Sequence, residues 1–108
     1  MEIYFVFLGR TLEGLRSINK IEGDLRIHAY LIQNFEGLNN LEIINGDLEI
    51  DSSSLKLLKG FDKLKVIGGD LKINVNPNLI SSNDVLNFIN QLVELGGKAV
   101  YNELIELN

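Results

Sequence analysis

Apolar positions recur along this chain at one unbroken interval. Gly-Asp-Leu begins at Gly23, Gly46 and Gly69, so both steps are 23 residues with no insertion between copies. The flanking positions keep the same register. Leu12, Phe35 and Leu58 share a column, as do Gly14, Gly37 and Gly60; Leu15, Leu38 and Phe61; Ile18, Leu41 and Leu64; and Ile21, Ile44 and Ile67. After Gly-Asp come Leu25, Leu48 and Leu71, and two places on Ile27, Ile50 and Ile73. Continued backwards at the same step, Tyr4 falls in the Ile27 column and Glu2 in the Leu25 column, a partial earlier copy.

A fixed period in this range is the mark of repeats that stack on one another. Leu-x-Ile has a period of two, so both apolar side chains point to one face of a short, half-buried strand. The preceding Gly-Asp reads as a turn, with Gly supplying positive φ and Asp accepting from its own turn N–H groups. Stacked copies would run their strands parallel, about 4.8 Å apart.

The third copy departs after Asn76-Pro77-Asn78-Leu79. Ser82 or Asn83 suits a helix N-cap, Asp84 the positive end of the helix, and Gly96-Gly97 a C-terminal stop. Val85, Leu86, Ile89, Leu92 and Val93 fall on one face at helical spacing. The pattern therefore predicts a mostly β chain, a right-handed parallel β-helix or solenoid of 23-residue leucine-rich coils with a C-terminal capping α-helix. One domain would cover residues 1–108, with coils over 1–80, the capping helix over 81–97 and a terminal strand or extension over 98–108. Val100, Leu104 and Leu107 are the apolar positions of that last stretch.

The run Ile3–Leu8 is aromatic and β-branched, the composition of a strand. It is too short to cross a bilayer, so no membrane span is expected. An apolar strand on the first coil is a pairing hazard. Ile3, Phe5 and Phe7 are thus expected to form an assembly edge, covered by preceding repeats, by a second copy as a homodimer, or by folding back onto the first coil.

These residues resemble the receptor L domain, a leucine-rich module of the ectodomains of insulin- and EGF-type receptors and of bacterial surface proteins. The pattern that carries the resemblance is Phe35-x-Gly37-Leu38-x-x-Leu41-x-x-Ile44-x-Gly46-Asp47-Leu48-x-Ile50, with Ile67-Gly68-Gly69-Asp70-Leu71-x-Ile73 repeating its end. It spans about residues 12–95, and Asn76-Pro77-Asn78-Leu79 matches the usual turn after such a strand. The resemblance implies recognition of a protein or glycan, and an extracellular or cell-surface setting. A plain leucine-rich repeat is the second reading. Its Asn position holds Gly23, Gly46 and Gly69 here, and one supposed inward position holds Lys20.

Composition narrows the chemistry. The chain has 108 residues and a formal net charge of −5, which argues against a nucleic-acid partner. It has no Cys, and so no thiol nucleophile or zinc-thiolate site, and a single His. No cofactor is expected, since no phosphate loop, nucleophile elbow or metal-ligand spacing occurs. The column Asp24, Asp47 and Asp70 could hold a cation such as Ca²⁺, but the calcium-binding repeat is shorter and its pattern is absent. On the outward side of the Leu-x-Ile strands stand Arg26, Glu49 and Lys72, alternating in sign, and beyond them His28, Asp51 and Asn74. Alternating charges on neighbouring strands attract, and this polar face is the expected ligand surface. Glu49 and Asp51 could also be cast as a carboxylate pair of a carbohydrate-active enzyme. With Arg26 and Lys72 beside them, both are expected to stay ionised. The sequence reading is therefore a non-enzymatic recognition module, the alternatives being that enzyme or a structural spacer.

Overall fold

The Leu-x-Ile segments after each Gly-Asp form strands, and a second, two-residue strand precedes each Gly-Asp. The computed structural model describes residues 3–7, 15–29, 32–76, 78–102 and 105–106, with side chains left undescribed at 3–7, 29 and 105–106. In chain order the elements are β1 (Ile3–Phe7), β2 (Lys20–Ile21), β3 (Leu25–Ala29), β4 (Ile43–Ile44), β5 (Leu48–Ser52), β6 (Val66–Ile67), β7 (Leu71–Val75), α1 (Ser82–Gln91), β8 (Glu94–Leu95), β9 (Ala99–Tyr101) and β10 (Ile105–Glu106). They build a six-stranded sheet ordered β1-β3-β5-β7-β9-β10 and a four-stranded sheet ordered β2-β4-β6-β8. Every pairing is parallel except β9 with β10.

The expected right-handed β-helix solenoid with a helical cap is corrected by this arrangement. Among the described residues the chain forms a small, compact α/β-type fold of two sheets and one helix, with extents of 32 × 29 × 20 Å and no long axis. The helix caps no end. It lies in the chain between β7 and β8, and strands of both sheets come after it: β8 pairs with β6, and β9 with β7. The extension expected over 98–108 thus contributes to the large sheet, and β10 turns back antiparallel to β9.

Register explains which apolar residues are buried. Leu25, Leu48, Leu71 and Ala99 align across the large sheet, as do Ile27, Ile50, Ile73 and Tyr101. Ile21, Ile44, Ile67 and Leu95 align across the small one. Most of these are fully buried and join one core cluster with Phe35, Leu38, Leu41, Leu55, Phe61 and Leu64. Full burial of such a side chain contributes about 1.5–3 kcal/mol, so the columns are the main source of cohesion. Phe61 sits between Phe35 and Phe88, with ring centroids 4.6 and 5.7 Å away and tilted. The step from β1 to β3 is 22 residues rather than 23, since Ile3 pairs with Leu25 and Phe5 with Ile27. Tyr4 therefore stands in the Arg26 column, not the Ile27 column.

The Gly-Asp pair has a different role from the expected turn. Positive φ among the described glycines occurs at Gly37 and Gly60, not at Gly23, Gly46 or Gly69. Nor does each Asp serve its own turn. Asp24 Oδ1 accepts the backbone N–H of Asp47 (2.7 Å), Asp47 Oδ1 that of Asp70 (2.7 Å), and Asp70 Oδ1 that of Lys98 (2.9 Å). Each carboxylate lies against the glycine of the next repeat. A Cβ on Gly46, Gly69 or Gly97 would stand 2.0, 2.1 or 1.9 Å from Oδ1 of Asp24, Asp47 or Asp70. Glycine is required there for space rather than for conformation.

Gly96-Gly97 is likewise no helix stop. α1 ends at the C-cap Leu92, and Gly96 and Gly97 stand in the columns of Gly68 and Gly69. The N-cap is Ser81, one residue before the positions expected. Its side chain accepts the Asp84 N–H, while the Asp84 carboxylate accepts the Ser81 N–H at 2.9 Å, a capping box. The buried helix face is Val85 and Phe88, with Ile89 and Leu92 packed beside them; Val93 is 80% exposed and Leu86 40%.

Two predictions test this account. Asp47→Ala should lower stability by about 2 kcal/mol by leaving the Asp70 N–H unpaired, and Gly69→Ala by about 2–3 kcal/mol through overlap. The double variant should lose at least about 1 kcal/mol less than their sum, because the carboxylate that blocks the Cβ is gone. Strict additivity in urea denaturation would refute the coupling. Separately, the Ser52 hydroxyl is buried with no hydrogen-bond partner among the described residues. Ser52→Ala should leave the urea midpoint unchanged or raise it, since an unsatisfied polar group is removed.

Candidate functional site

The outward positions of the large sheet stand where alternation placed them. Arg26, Glu49 and Lys72 form one row across β3, β5 and β7, continued by Val100 on β9; His28, Asp51 and Asn74 form the next. All six predicted ligand residues are thus brought onto one face. Arg26, His28, Glu49 and Asn74 are half-buried, whereas Asp51 and Lys72 are exposed.

The charge pairing runs along diagonals rather than only along the row. Glu49 Oε2 lies 2.7 Å from His28 Nε2, at the next outward position of the neighbouring strand, and Arg26 Nη2 lies 3.2 Å from Asp24 Oδ2 at the entry to its own strand. Asp24 therefore serves two partners, one oxygen on the Asp47 N–H and the other on the Arg26 guanidinium. This leaves the Asp51 carboxylate and the Lys72 ammonium, opposite in sign, without an ion pair or side-chain hydrogen bond among the described residues. Residues at such diagonal positions on adjacent strands are about 7–8 Å apart.

Two depressions of about 300 Å³ each adjoin at Asn74. One is lined by Glu49, Lys72, Asn74 and Val100. The other is lined by Asp51, Ser53, Asn74, Val75, Asn76 and Asn102. Ser53 and Asn102 are not among the positions the sequence points to, while Asn76 is expected only as part of a turn and Val100 only as an apolar position of the terminal stretch. Asn102 has positive φ (53°), donates its N–H to Ile73 O (2.7 Å) and accepts the Val75 N–H on Oδ1 (2.8 Å). The signal that leads to it is the alignment of Gly96-Gly97 with Gly68-Gly69, which the helix hides by stretching the interval to 28 residues.

In Asp24, Asp47 and Asp70 the Oδ1 atoms are engaged by backbone N–H groups, and among the described residues no group of three His, Asp or Glu could hold a metal ion. Ile3, Phe5 and Phe7 lie on β1, the first strand of the six-stranded sheet, at the register positions of Leu25, Ile27 and Ala29. The assembly edge expected there rests on their side chains, which lie outside the described residues. No helix among the described residues is long and apolar enough to cross a membrane. No family model, no curated protein and no solved structure matches this chain.

The His28–Glu49 contact is half-exposed, so its contribution is screened by water. Glu49→Ala should cost no more than about 1 kcal/mol in urea denaturation. A loss of several kcal/mol would mean that the pair supports the fold rather than the surface.

Proposed function

We propose that this protein is a non-enzymatic recognition module that takes a protein or glycan ligand on the outer face of its six-stranded sheet. The observation that carries this reading is the pair of opposite charges, Asp51 and Lys72, which have no ion-pair partner among the described residues and flank the two depressions that meet at Asn74. Ionised groups without protein partners lose little by facing water. They offer charge-assisted hydrogen bonds to a ligand that presents complementary groups. Regular strands fix their spacing, and rigid elements hold recognition groups more reliably than loops do. The resemblance of the Gly-Asp-Leu repeats to receptor L domains, which recognise ligands at cell surfaces, favours the same class of activity.

Binding is a better reading than turnover because Glu49 is held by His28 while Asp51 lies exposed. Neither carboxylate stands in a closed, apolar setting of the kind that separates a general acid from a base.

The test is a comparison of the unaltered chain with the double charge reversal Asp51→Lys, Lys72→Glu on a glycan array and on an array of charged peptides. The expected result is a saturable ligand whose affinity falls about tenfold or more in the variant and also falls with added salt. A far-UV circular dichroism spectrum should confirm an unchanged fold. Saturable binding that the reversal leaves intact would place the ligand elsewhere. The absence of any saturable ligand on either array would overturn the recognition reading in favour of a structural role.

A further inference from the structure

Asn45-Gly46 is the only Asn-Gly step in the chain. Such a step is open to a reaction that needs no enzyme, oxidant or reductant. The Gly46 backbone nitrogen attacks Cγ of Asn45, a C–N bond closes a five-membered succinimide, and the Asn45 amide leaves as ammonia with the proton from the Gly46 N–H. Water then opens the ring at either carbonyl, giving Asp or an isoaspartyl link in which the chain runs through the former side chain. Glycine favours ring closure because no Cβ hinders the attacking nitrogen.

Asn45 is exposed, so solvent reaches it, but the folded chain engages each group the reaction must move. The Gly46 N–H donates to Gly23 O at 2.9 Å, and the Asn45 N–H to Ile21 O at 2.9 Å. Asn45 Nδ2 donates to Glu22 Oε2 at 3.1 Å. Lys20, 3.3 Å from Glu22, holds that carboxyl below the usual carboxylate range, which keeps it an acceptor. The Asp24 carboxylate lies against Gly46, within 2.0 Å of where a Cβ would stand.

We propose that Asn45 is a deamidation site held closed by its contacts with the preceding repeat, so that conversion proceeds from locally opened chains and then hinders their re-closure. The hindrance is geometric. An isoaspartyl link lengthens the backbone by a methylene between Ile44 and Gly46. The bonds Gly46 N–H to Gly23 O and Asp47 N–H to Asp24 Oδ1 then no longer share one register, and the same holds for the Gly68 and Gly69 N–H groups that donate to Ile44 and Gly46. Reaction through an open form proceeds in proportion to the population of that form.

The experiment incubates the full chain in mildly alkaline buffer, folded and in urea, and monitors Asn45 by peptide mapping and isoaspartate detection. Conversion should be slower by about tenfold or more in the folded chain. Asp24→Ala, which removes the carboxylate bonded to the Asp47 N–H, should raise the rate in native buffer. If that variant does not fold, hydrogen exchange at the Gly46 amide of the unaltered chain decides: slow exchange supports the closed site, and exchange as fast as in an unfolded peptide overturns it. Equal conversion rates in buffer and in urea would also overturn it. Isolated isoaspartyl chains should unfold at lower urea; an unchanged midpoint would refute the effect on re-closure.

Discussion

The contact on which the rest of the structure depends is the carboxylate of one repeat seated against the glycine of the next. Asp24, Asp47 and Asp70 each give one oxygen to the backbone N–H found at the following turn. A hydrogen bond to a charged group contributes about 1.5–3 kcal/mol, more than a neutral one. Its larger role is register. A slip of one residue between parallel strands would turn the buried Leu-x-Ile pairs outward. A carboxylate that fits only over a residue without Cβ forbids that slip. Gly and Asp are therefore partners across repeats rather than within one.

The same contact explains how the chain absorbs a helix without losing alignment. Between Asp70 and Lys98 the interval is 28 residues, yet the Lys98 N–H still meets Asp70, and Gly97 still lies under its carboxylate. The extra length is taken up by α1, which replaces an irregular segment of the earlier repeats. Phe88 extends the aromatic contact from Phe61. The Gln91 side chain donates to the carbonyls of Phe61 (2.6 Å) and Leu64 (3.3 Å), which end the preceding segment. Lys98 stands in the Asp column and has no carboxylate to offer, so the series of acceptors ends there.

Much of this was legible in the sequence, and the misses have physical causes. Period and alternation point to the Leu-x-Ile strands β3, β5 and β7, the buried Leu and Ile columns and the outward row, but not to the four-stranded sheet of two-residue strands, which are too short to show a pattern. The overall architecture was misread. A period reports which residues become neighbours, whereas overall dimensions and the place of the helix depend on the small number of repeats and on the segment beyond the third one. Phe88 lies outside the aliphatic pattern of the helix, because the core there continues a line of rings. The last repeat was hidden by the shifted interval, although Leu95-Gly96-Gly97 repeats Ile67-Gly68-Gly69. At the site, the residues were found but their pairing was not. Arg26, Glu49 and Lys72 align in register, yet the length of each side chain decides whom it reaches. Glu49 finds His28, and Arg26 finds the carboxylate that also holds the register.

That division of labour is why the outer face is the place for variable chemistry. Charges tied into the register contact, Asp24 and with it Arg26, cannot be altered without disturbing the alignment of β3 with β5. Asp51 and Lys72 carry no such duty, since their backbones are fixed by strand pairing and their side chains meet water. Exchanging such groups alters surface potential at little cost in stability, usually within about 0.5 kcal/mol. A repeat with this construction can thus hold its interior columns constant while the residues between them vary. The two faces of one alternating strand then serve opposite demands: inward positions admit only residues of the right volume, and outward positions admit residues that water can solvate.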